Sequence, residues 1–166
     1  DQILSNMRRR YKRDLYQNRI EKIKSVLPDA CIGVDVIVGF PGETNNDFLN
    51  TYNFLNELDI SYLHVFTYSE RPETDAVEMG KAVSKEKRAQ RSKMLHILSD
   101  KKRRFFHDQF MNQRRPVLFE NMKNGKLLGH TDNYIQIQME GTPDLINTIH
   151  SVKLSKNYGG YVQGIL

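Results

Sequence analysis

Residues 31 to 44, CIGVDVIVGFPGET, constrain the fold of this chain more than any other stretch. The apolar run over residues 34 to 38 is typical of a strand in a parallel sheet, and we predict that it is buried on both faces. The next residues, GFPG, force a tight turn, and Thr44 opens a helix with Asp47 at capping-box spacing. Asp35 interrupts the run, and a buried acid is costly unless it is hydrogen-bonded. Because parallel α/β folds bind ligands at the carboxyl ends of their strands, Asp35 indicates either a ligand site or a strand with one satisfied aspartate.

Helix and strand patterns alternate along the first part of the chain. Helical spacing of apolar residues predicts an amphipathic helix over residues 12 to 27, and a second strand is predicted at 61 to 67. The order helix, strand, helix, strand predicts an α/β unit in which the strands at 32–38 and 61–67 are parallel. A long helix is expected from about 84 to 112. The stripe of the first helix is formed by Tyr16, Ile20, Ile23 and Leu27.

The character of the sequence changes after Pro116. Five short segments with alternating apolar residues follow, separated by turn residues, and Asn124-Gly125 between two of them is a strong hairpin pattern. Five short strands in so few residues predict a small closed β-barrel, because closure leaves no exposed edges. We therefore predict two domains, residues 1–112 and residues 113–166.

Positive charge is concentrated in one segment. Residues 1 to 80 hold 9 basic and 13 acidic side chains (net −4), residues 81 to 115 hold 12 and 3 (net +9), and residues 116 to 166 hold 4 of each. This concentration favours a polyanionic partner such as a nucleic acid, with a solvated helix face as the alternative.

Metal-ligand and catalytic motifs are absent from the sequence. Cys31 is the only cysteine, so there is no disulfide framework and no complete ligand set for a metal or an iron–sulfur cluster. The five histidines are scattered, and no triad, zinc-protease or phosphate-loop motif is present. No apolar run could span a bilayer and no signal peptide opens the chain, so we expect a cytoplasmic protein without a membrane partner. The start at Asp1, without a helix-start pattern, suggests a piece of a longer protein.

Several blocks together resemble a known family. Arg9 with Tyr11, the DVIVGFPGET block, the YLHVFTYSERPET block and the β-rich C-terminal region are similar to the radical S-adenosylmethionine (SAM) methylthiotransferases of tRNA. GVDVIVGF and YLHVFTYS are most similar to the enzymes that act on threonylcarbamoyladenosine. The resemblance implies that residues 1–112 are the second half of a radical SAM partial (β/α) barrel. Residues 113–166 would then be a TRAM domain, a small OB-like RNA-binding barrel.

The resemblance also implies a SAM site. The Arg9 guanidinium would bind the SAM carboxylate, Asp35 would accept hydrogen bonds from the ribose hydroxyls, and Ile37 would pack on adenine. The alternative for Arg9 is a solvated arginine, and for the residues that end the second strand it is an ordinary strand terminus. The remaining implied SAM contacts are Gly39, Tyr68 and Ser69.

RNA binding is predicted for the barrel together with the basic segment. Small barrels bind nucleic acid through basic grooves and exposed aromatic rings, and Tyr134 is the aromatic residue nearest a loop. We predict that the basic residues of 81–115 share one surface with Arg114, Lys123, Lys126 and Tyr134.

The resemblance implies an enzyme whose clusters lie outside this chain. Two [4Fe–4S] clusters and SAM would serve methylthiolation of N6-threonylcarbamoyladenosine beside the tRNA anticodon, with the cluster ligands upstream of Asp1. No catalytic residue and no metal ligand is then expected here, and the chain alone should be inactive. The alternatives are isopentenyladenosine in tRNA, a ribosomal-protein side chain, or a non-catalytic RNA-binding module. Glu73 stands where the family usually has glycine, which predicts a different turn there.

Overall fold

The computed structural model describes all residues from 1 to 166 and divides them into two compact units, Asp1–Ser99 and Asp100–Leu166. The division falls inside a long helix, whereas the change in sequence character falls after that helix ends. The predicted boundary between residues 112 and 113 lies where the long helix gives way to the barrel strands, whereas the two compact units divide after Ser99.

The first unit is a parallel α/β arrangement. Strands β1 and β2 pair in parallel from Gly33 opposite Tyr62 to Val38 opposite Thr67, as the sequence predicts. The elements in chain order are α1 (Gln2–Asn6), α2 (Arg13–Val26), β1 (Gly33–Val38), α3 (Asn45–Glu57), β2 (Tyr62–Thr67), α4 (Asp75–Glu78) and α5 (Lys85–Asp108).

Helix α3 begins at the predicted capping box. The Thr44 hydroxyl accepts a hydrogen bond from the Asp47 N–H (3.1 Å), and the Asp47 carboxylate accepts one from the Thr44 N–H (3.0 Å). Reciprocal capping satisfies two backbone donors that a helix start otherwise leaves unpaired. The cap therefore fixes where the chain turns from the loop after β1 into α3.

One face of β1 forms the core of the first unit. Burial alternates along the strand, so the prediction of burial on both faces is wrong. Residues of α2, α3 and α5 all pack on the same face of β1, whereas Gly33, Asp35 and Ile37 on the other face stay exposed. The core cluster consists of Ile20, Val34, Val36, Val38, Phe48, Leu55, Leu58, Ile60, Leu63, Leu95 and Leu98.

Two further expectations for helices and turns are corrected. Only Ile20 of the predicted α2 stripe is buried, while Ile23 and Leu27 are exposed. Glu73 adopts a φ of 62°, the left-handed conformation that glycine favours, so the turn forms with glutamate in place. The cost of that conformation is about 1–2 kcal/mol for a residue with a Cβ.

The second unit contains a closed five-stranded barrel with strand order β3-β4-β5-β7-β6, which confirms the predicted small barrel. All pairs are antiparallel except β5 with β7. Asn124 and Gly125 join β3 to β4 with φ of 51° and 77°, as a tight hairpin requires. The strands are β3 (Arg114–Lys123), β4 (Lys126–Thr131), β5 (Gln136–Glu140), β6 (Ile149–Asn157) and β7 (Val162–Ile165). Fully buried core residues are Val117, Phe119, Leu127, Ile135, Ile137, Val152, Leu154 and Val162.

Strand register assigns every barrel loop to one of two ends. The start of β3, the β4–β5 turn and the β6–β7 loop share one end, which we call the tyrosine end (residues 113–115, 131–135 and 157–161). The β3–β4 turn and the β5–β6 connection share the other, the hairpin end (residues 123–126 and 141–148). From Lys126 to Thr131 along β4 the ends are about 17 Å apart, at roughly 3.3 Å per residue.

We predict that Gly129→Ala destabilises the barrel by about 1–3 kcal/mol or more. A Cβ on Gly129 would lie 2.2 Å from the Leu118 carbonyl oxygen on β3, and backbone cannot move aside cheaply. Gly160→Ala is the matched control, because a Cβ there meets no atom within 4 Å. Urea unfolding followed by near-ultraviolet circular dichroism measures both changes. Equal stabilities of the two variants would contradict the steric argument.

Candidate functional site

The first cavity of the α/β unit has a volume of about 340 Å³ and lies among α1, β1, α3 and the segment before α2. Arg9, Asp35 and Ile37 all line it, so three of the six predicted SAM contacts meet at one cavity. Tyr16 lines it as well, and burial, followed by the nearby Tyr11 and Asp35, raises the pKa of its hydroxyl. The cavity thus offers a guanidinium, a carboxylate, a protonated phenol and an apolar side chain.

A second cavity of about 470 Å³ lies where β1 and β2 end, between α1 and residues 73–79. Arg9 and Ile37 line this cavity too, together with Tyr68 and Phe40. Arg9 is therefore the one arginine of the RRRY motif that lines both cavities. Arg8 lines only the second and pairs with Asp75 at 2.5 Å.

The open face of the two-stranded sheet extends the site. The parallel register sets Asp35 opposite His64 and Ile37 opposite Phe66, so these side chains share one face. Phe66 is 53% exposed and Ile37 37% exposed. Sequence reasoning missed His64 and Phe66, although period-two alternation from Asp35 and Ile37 through a parallel partner would have placed them.

Tyr68 continues β2 by one residue at the second cavity. Its N–H donates to the Val38 carbonyl (2.9 Å), and its ring meets Phe40 edge-on with centroids 5.5 Å apart. Its hydroxyl is buried and has no hydrogen-bond partner. Such a buried hydroxyl is costly, so a ligand atom that reached it would gain a hydrogen bond. Ser69, the neighbouring predicted contact, is exposed and lines neither cavity.

Gly39 is required for a local steric reason. Its φ is 77°, and a Cβ there would lie 2.4 Å from Cγ of Arg88. Its N–H donates to the Glu43 carboxylate (3.1 Å). Gly39 lines neither cavity, so the structure does not group it with Arg9, Asp35 and Ile37.

Two arginines of α5 hold the loops that follow the strands. Arg91 donates to the Glu43 carboxylate (2.5 Å), to the Glu43 carbonyl (3.2 Å) and to Asn45 Oδ1 (2.9 Å). Arg88 donates to the Tyr68 carbonyl (3.0 Å) and to the Glu70 carboxylate, and it also stacks over the Tyr68 ring. Each arginine thus fixes one loop, Arg91 the loop after β1 and Arg88 the loop after β2.

The Arg91–Glu43 pair is buried on both sides, with side chains 6% and 7% exposed. Burial raises the pKa of Glu43, while the Arg91 charge and the Gly39 N–H oppose that rise. By contrast, the hydrogen bond from Arg88 lowers the pKa of the exposed Glu70 to about 2. Substitution in the buried pair should therefore cost more stability than substitution in the exposed pair, because removing either partner would leave an unpaired charge out of water.

Two arginines of the basic segment are buried rather than displayed to a polyanion. Arg88 and Arg91 are each only 5% exposed and are used in these internal contacts, which corrects the prediction that they bind RNA phosphates. Arg115 pairs with Asp132 (2.8 Å), and that hydrogen bond lowers the pKa of Asp132. Sequence reasoning missed this, since a count of charges does not tell which arginines have acidic partners elsewhere in the chain.

The four predicted RNA contacts of the barrel fall at its two ends. Arg114 and Tyr134 lie at the tyrosine end, whereas Lys123 and Lys126 flank the turn at the hairpin end. All four are exposed. The structure therefore does not bring the four together in one place.

Clusters of metal ligands and membrane-spanning helices are absent from the structure. No three His, Cys, Asp or Glu side chains come together in a group that could hold a metal ion. No helix combines the length and the apolar character that crossing a bilayer requires.

These features define a class of protein: a parallel α/β unit with a cleft at its strand ends, followed by a small closed β-barrel. No protein-family model matches the chain. Threonylcarbamoyladenosine tRNA methylthiotransferase MtaB of Bacillus subtilis is 36% identical over 98% of the chain, and that of Aquifex aeolicus is 38% identical over 85%. tRNA-2-methylthio-N(6)-dimethylallyladenosine synthase of Syntrophotalea carbinolica is 35% identical over 95% of it. The chain belongs to the radical SAM tRNA methylthiotransferase family.

The similarity covers only a part of each relative. The chain spans 37% of the length of the Bacillus and Syntrophotalea proteins and 33% of the Aquifex protein.

We predict that Arg91→Ala destabilises the α/β unit by about 3–5 kcal/mol, because Glu43 would remain buried without its cation. Loss of Arg91 raises the pKa of Glu43 further, so the folded variant binds a proton more tightly than the unfolded chain. The variant should therefore lose stability as the pH rises above 4.5, the ordinary value for glutamate, and regain it on acidification.

Urea unfolding of Arg91→Ala between pH 4.5 and 8 measures this effect, with the exposed Lys93→Ala on the same helix as the control. The Arg91→Leu, Glu43→Leu double variant should recover most of the lost stability, since no charge stays buried. A pH-independent loss in Arg91→Ala would contradict the argument.

Proposed function

We propose that this chain is the SAM-binding and RNA-binding part of an enzyme that methylthiolates N6-threonylcarbamoyladenosine beside the anticodon of tRNA. The observation that carries the proposal is that Arg9, Asp35 and Ile37, which are far apart in sequence, line the same cavity. The similarity to tRNA methylthiotransferases over nearly the whole chain supports the same activity.

The donor set of the cleft fits SAM. The Arg9 guanidinium matches a carboxylate through two parallel hydrogen bonds, and the Asp35 carboxylate can accept from both hydroxyls of a ribose. Ile37 and Phe66 offer an exposed apolar face for a purine ring. The unpartnered Tyr68 hydroxyl would satisfy its hydrogen bond at the adenine edge.

Within this proposal, each part of the chain has a binding or positioning role. SAM, when bound next to a reduced cluster, supplies the radical chemistry and the methyl group. Arg9 and Asp35 orient the two polar ends of SAM, and Arg88 and Arg91 hold the loops on which the cleft depends. Gly39 serves the turn that Arg88 packs against, and Ser69 is left as an ordinary strand terminus.

The iron–sulfur clusters do not fit this chain. Cys31 is its single cysteine, and a cubane cluster needs at least three thiolates or equivalent ligands. We propose that the two [4Fe–4S] clusters bind to another part of the enzyme and that the chain alone does not cleave SAM.

The most specific part of the proposal is which modified adenosine the enzyme methylthiolates. The relatives include enzymes named for threonylcarbamoyladenosine and enzymes named for dimethylallyladenosine. The GVDVIVGF and YLHVFTYS blocks favour the first. Methylthiolation of an isopentenyl-type adenosine is the second candidate, and tRNA in the cytoplasm is the proposed partner for either.

The proposed role of Asp35 can be tested by titration calorimetry with S-adenosylhomocysteine, which has the ribose and amino-acid groups of SAM but does not react. In the full-length enzyme, Asp35→Ala should weaken binding by about tenfold or more, because hydrogen bonds to a charged acceptor are lost. Asp14→Ala on the exposed side of α2 is the control and should bind normally. Unchanged affinity in Asp35→Ala would remove this residue from the site.

The proposed reaction can be tested by nucleoside mass spectrometry. The full-length gene is expressed in a bacterial strain that lacks both tRNA methylthiotransferases, and total tRNA is digested. We expect 2-methylthio-N6-threonylcarbamoyladenosine to appear with the wild-type gene and to be strongly reduced with Asp35→Ala. Appearance of only the dimethylallyl product would establish the second candidate instead, and absence of both would exclude the proposed activity.

A further inference from the structure

We propose that the tyrosine end of the barrel is a stacking platform for unpaired nucleotides, with Tyr158 and Tyr134 as its two aromatic positions. This inference rests on the proposed function, in that it takes RNA to be the partner, and adds where the RNA binds and in which form. It assigns the RNA surface to one end of the barrel and leaves the hairpin-end lysines, Lys123 and Lys126, outside it.

The β6–β7 loop presents a stacked pair of rings. Tyr158 and Tyr161 lie with centroids 4.9 Å apart and ring planes only 16° apart. Tyr158, the outer ring, is 44% exposed, whereas Tyr161 is half-buried beneath it. A ring that is already stacked from below offers its other face in a fixed orientation, as base recognition in single strands requires.

The loop that carries these rings is held by hydrogen bonds. Asn157 Nδ2 donates to the Asp108 carboxylate (2.7 Å) and to the Arg104 carbonyl (3.0 Å), and Asn157 Oδ1 accepts from the Gly159 N–H (2.8 Å). The Tyr158 N–H donates to the Tyr161 carbonyl (2.9 Å). A rigid platform loses little conformational entropy when it binds a flexible strand.

Two cations lie at the β6–β7 loop, one of them over the Tyr158 ring. Lys156 Nζ lies 5.1 Å from the Tyr158 ring centroid. Gly159 has a φ of 88°, and a Cβ there would lie 2.8 Å from Nε of Arg104, so the absence of a side chain lets this guanidinium approach the loop. A cation–π contact at an exposed site is worth about 0.5–1 kcal/mol, so a base can displace the flexible Lys156 from the ring and leave its ammonium for the adjoining phosphate.

The second aromatic position is adjacent in the barrel. Strands β5 and β7 are neighbours and run parallel, with Ile137 opposite Val162. Tyr134 lies three residues before Ile137 and Tyr161 one residue before Val162, so both precede paired strands at the same end. Neighbouring strands are about 4.8 Å apart.

Tyr134 is also displayed on a firmly held turn. The Thr131 hydroxyl accepts from the Ile135 N–H (2.9 Å), and the Tyr134 N–H donates to the Thr131 carbonyl (3.0 Å). Tyr134 has a φ of 65° and is 76% exposed. A positive φ is unfavourable for a bulky residue, and strained positions of this kind cluster at ligand-binding sites. Its ring contacts His130, with centroids 5.7 Å apart.

Two exposed aromatic positions, with two cations beside the loop that carries Tyr158, match the chemistry of a single strand. Stacking needs base faces, which a duplex conceals and a loop or single strand exposes. The anionic backbone between the bases would meet Lys156 and Arg104. The platform therefore favours unpaired RNA over duplex RNA.

Fluorescence anisotropy tests this with the 166-residue chain, a labelled unstructured A/U-rich RNA of about ten nucleotides, and the corresponding duplex. We expect tighter binding to the single strand. Tyr158→Leu should weaken single-strand binding by about 5- to 100-fold, and Tyr158→Phe, which keeps the ring, should restore it. Tyr134→Leu should weaken it over a similar range, and circular dichroism verifies that each variant is folded.

Matched lysine variants separate the two ends of the barrel. Lys156→Gln should reduce the slope of log affinity against log salt by about 0.7, the value for one phosphate contact in a single strand, whereas Lys126→Gln should leave it unchanged. Equal affinity of Tyr158→Leu and wild type, equal effects of the two lysines, or a preference for duplex would overturn the platform while tRNA binding stands. A chain that binds no RNA of any form would overturn both the platform and the RNA part of the proposed function.

Discussion

The ion pair between Arg91 and Glu43 is the interaction on which the cleft depends. It joins α5 to the loop after β1, and the Gly39 N–H and Asn45 side chain belong to the same hydrogen-bonded group. One helical turn earlier, Arg88 does the same for the end of β2. Glu43 lines the first cavity and Tyr68 the second, so the two arginines hold residues at the wall of each cavity.

Local patterns in the sequence were sufficient to predict most of the fold. The Thr44–Asp47 cap, the Asn124-Gly125 hairpin, the parallel pairing of β1 with β2 and the closed barrel all depend on short-range rules, and all are confirmed. Burial on both faces of β1 was wrong because only the packing of three helices decides which face is covered. The partners of Arg88 and Arg91 could not be predicted, since Glu70 and Glu43 are 18 and 48 residues away from them. For the candidate site, the family resemblance was sufficient to predict Arg9, Asp35 and Ile37. Phe66 could be found only from the β1–β2 register, which sets it opposite Ile37.

Charge and aromatic residues contribute differently to the two units. In the α/β unit, two arginines of the basic segment offset acids of the acidic first half, so part of the charge asymmetry along the sequence is cancelled inside the fold. In the barrel, lysines are spread over both ends, and it is the tyrosines that distinguish one end from the other. Net charge therefore gives only the overall balance of the chain, and the partner of each charged side chain decides how much of that charge remains at the surface.

The sheet of β1 and β2 has a further consequence for the chain in solution. With two strands, each has one edge whose backbone N–H and C=O groups pair with no other strand. Such edges can be templates for strand addition, and neither strand contains the proline, lysine or bulge that commonly protects an edge. On β2, however, the Ser99 hydroxyl of α5 accepts from the Leu63 N–H (2.8 Å) and donates to the Leu63 carbonyl (3.0 Å). Helix α5 thus covers part of the β2 edge through one serine, so a helix side chain limits strand addition there in place of a proline, a lysine or a bulge.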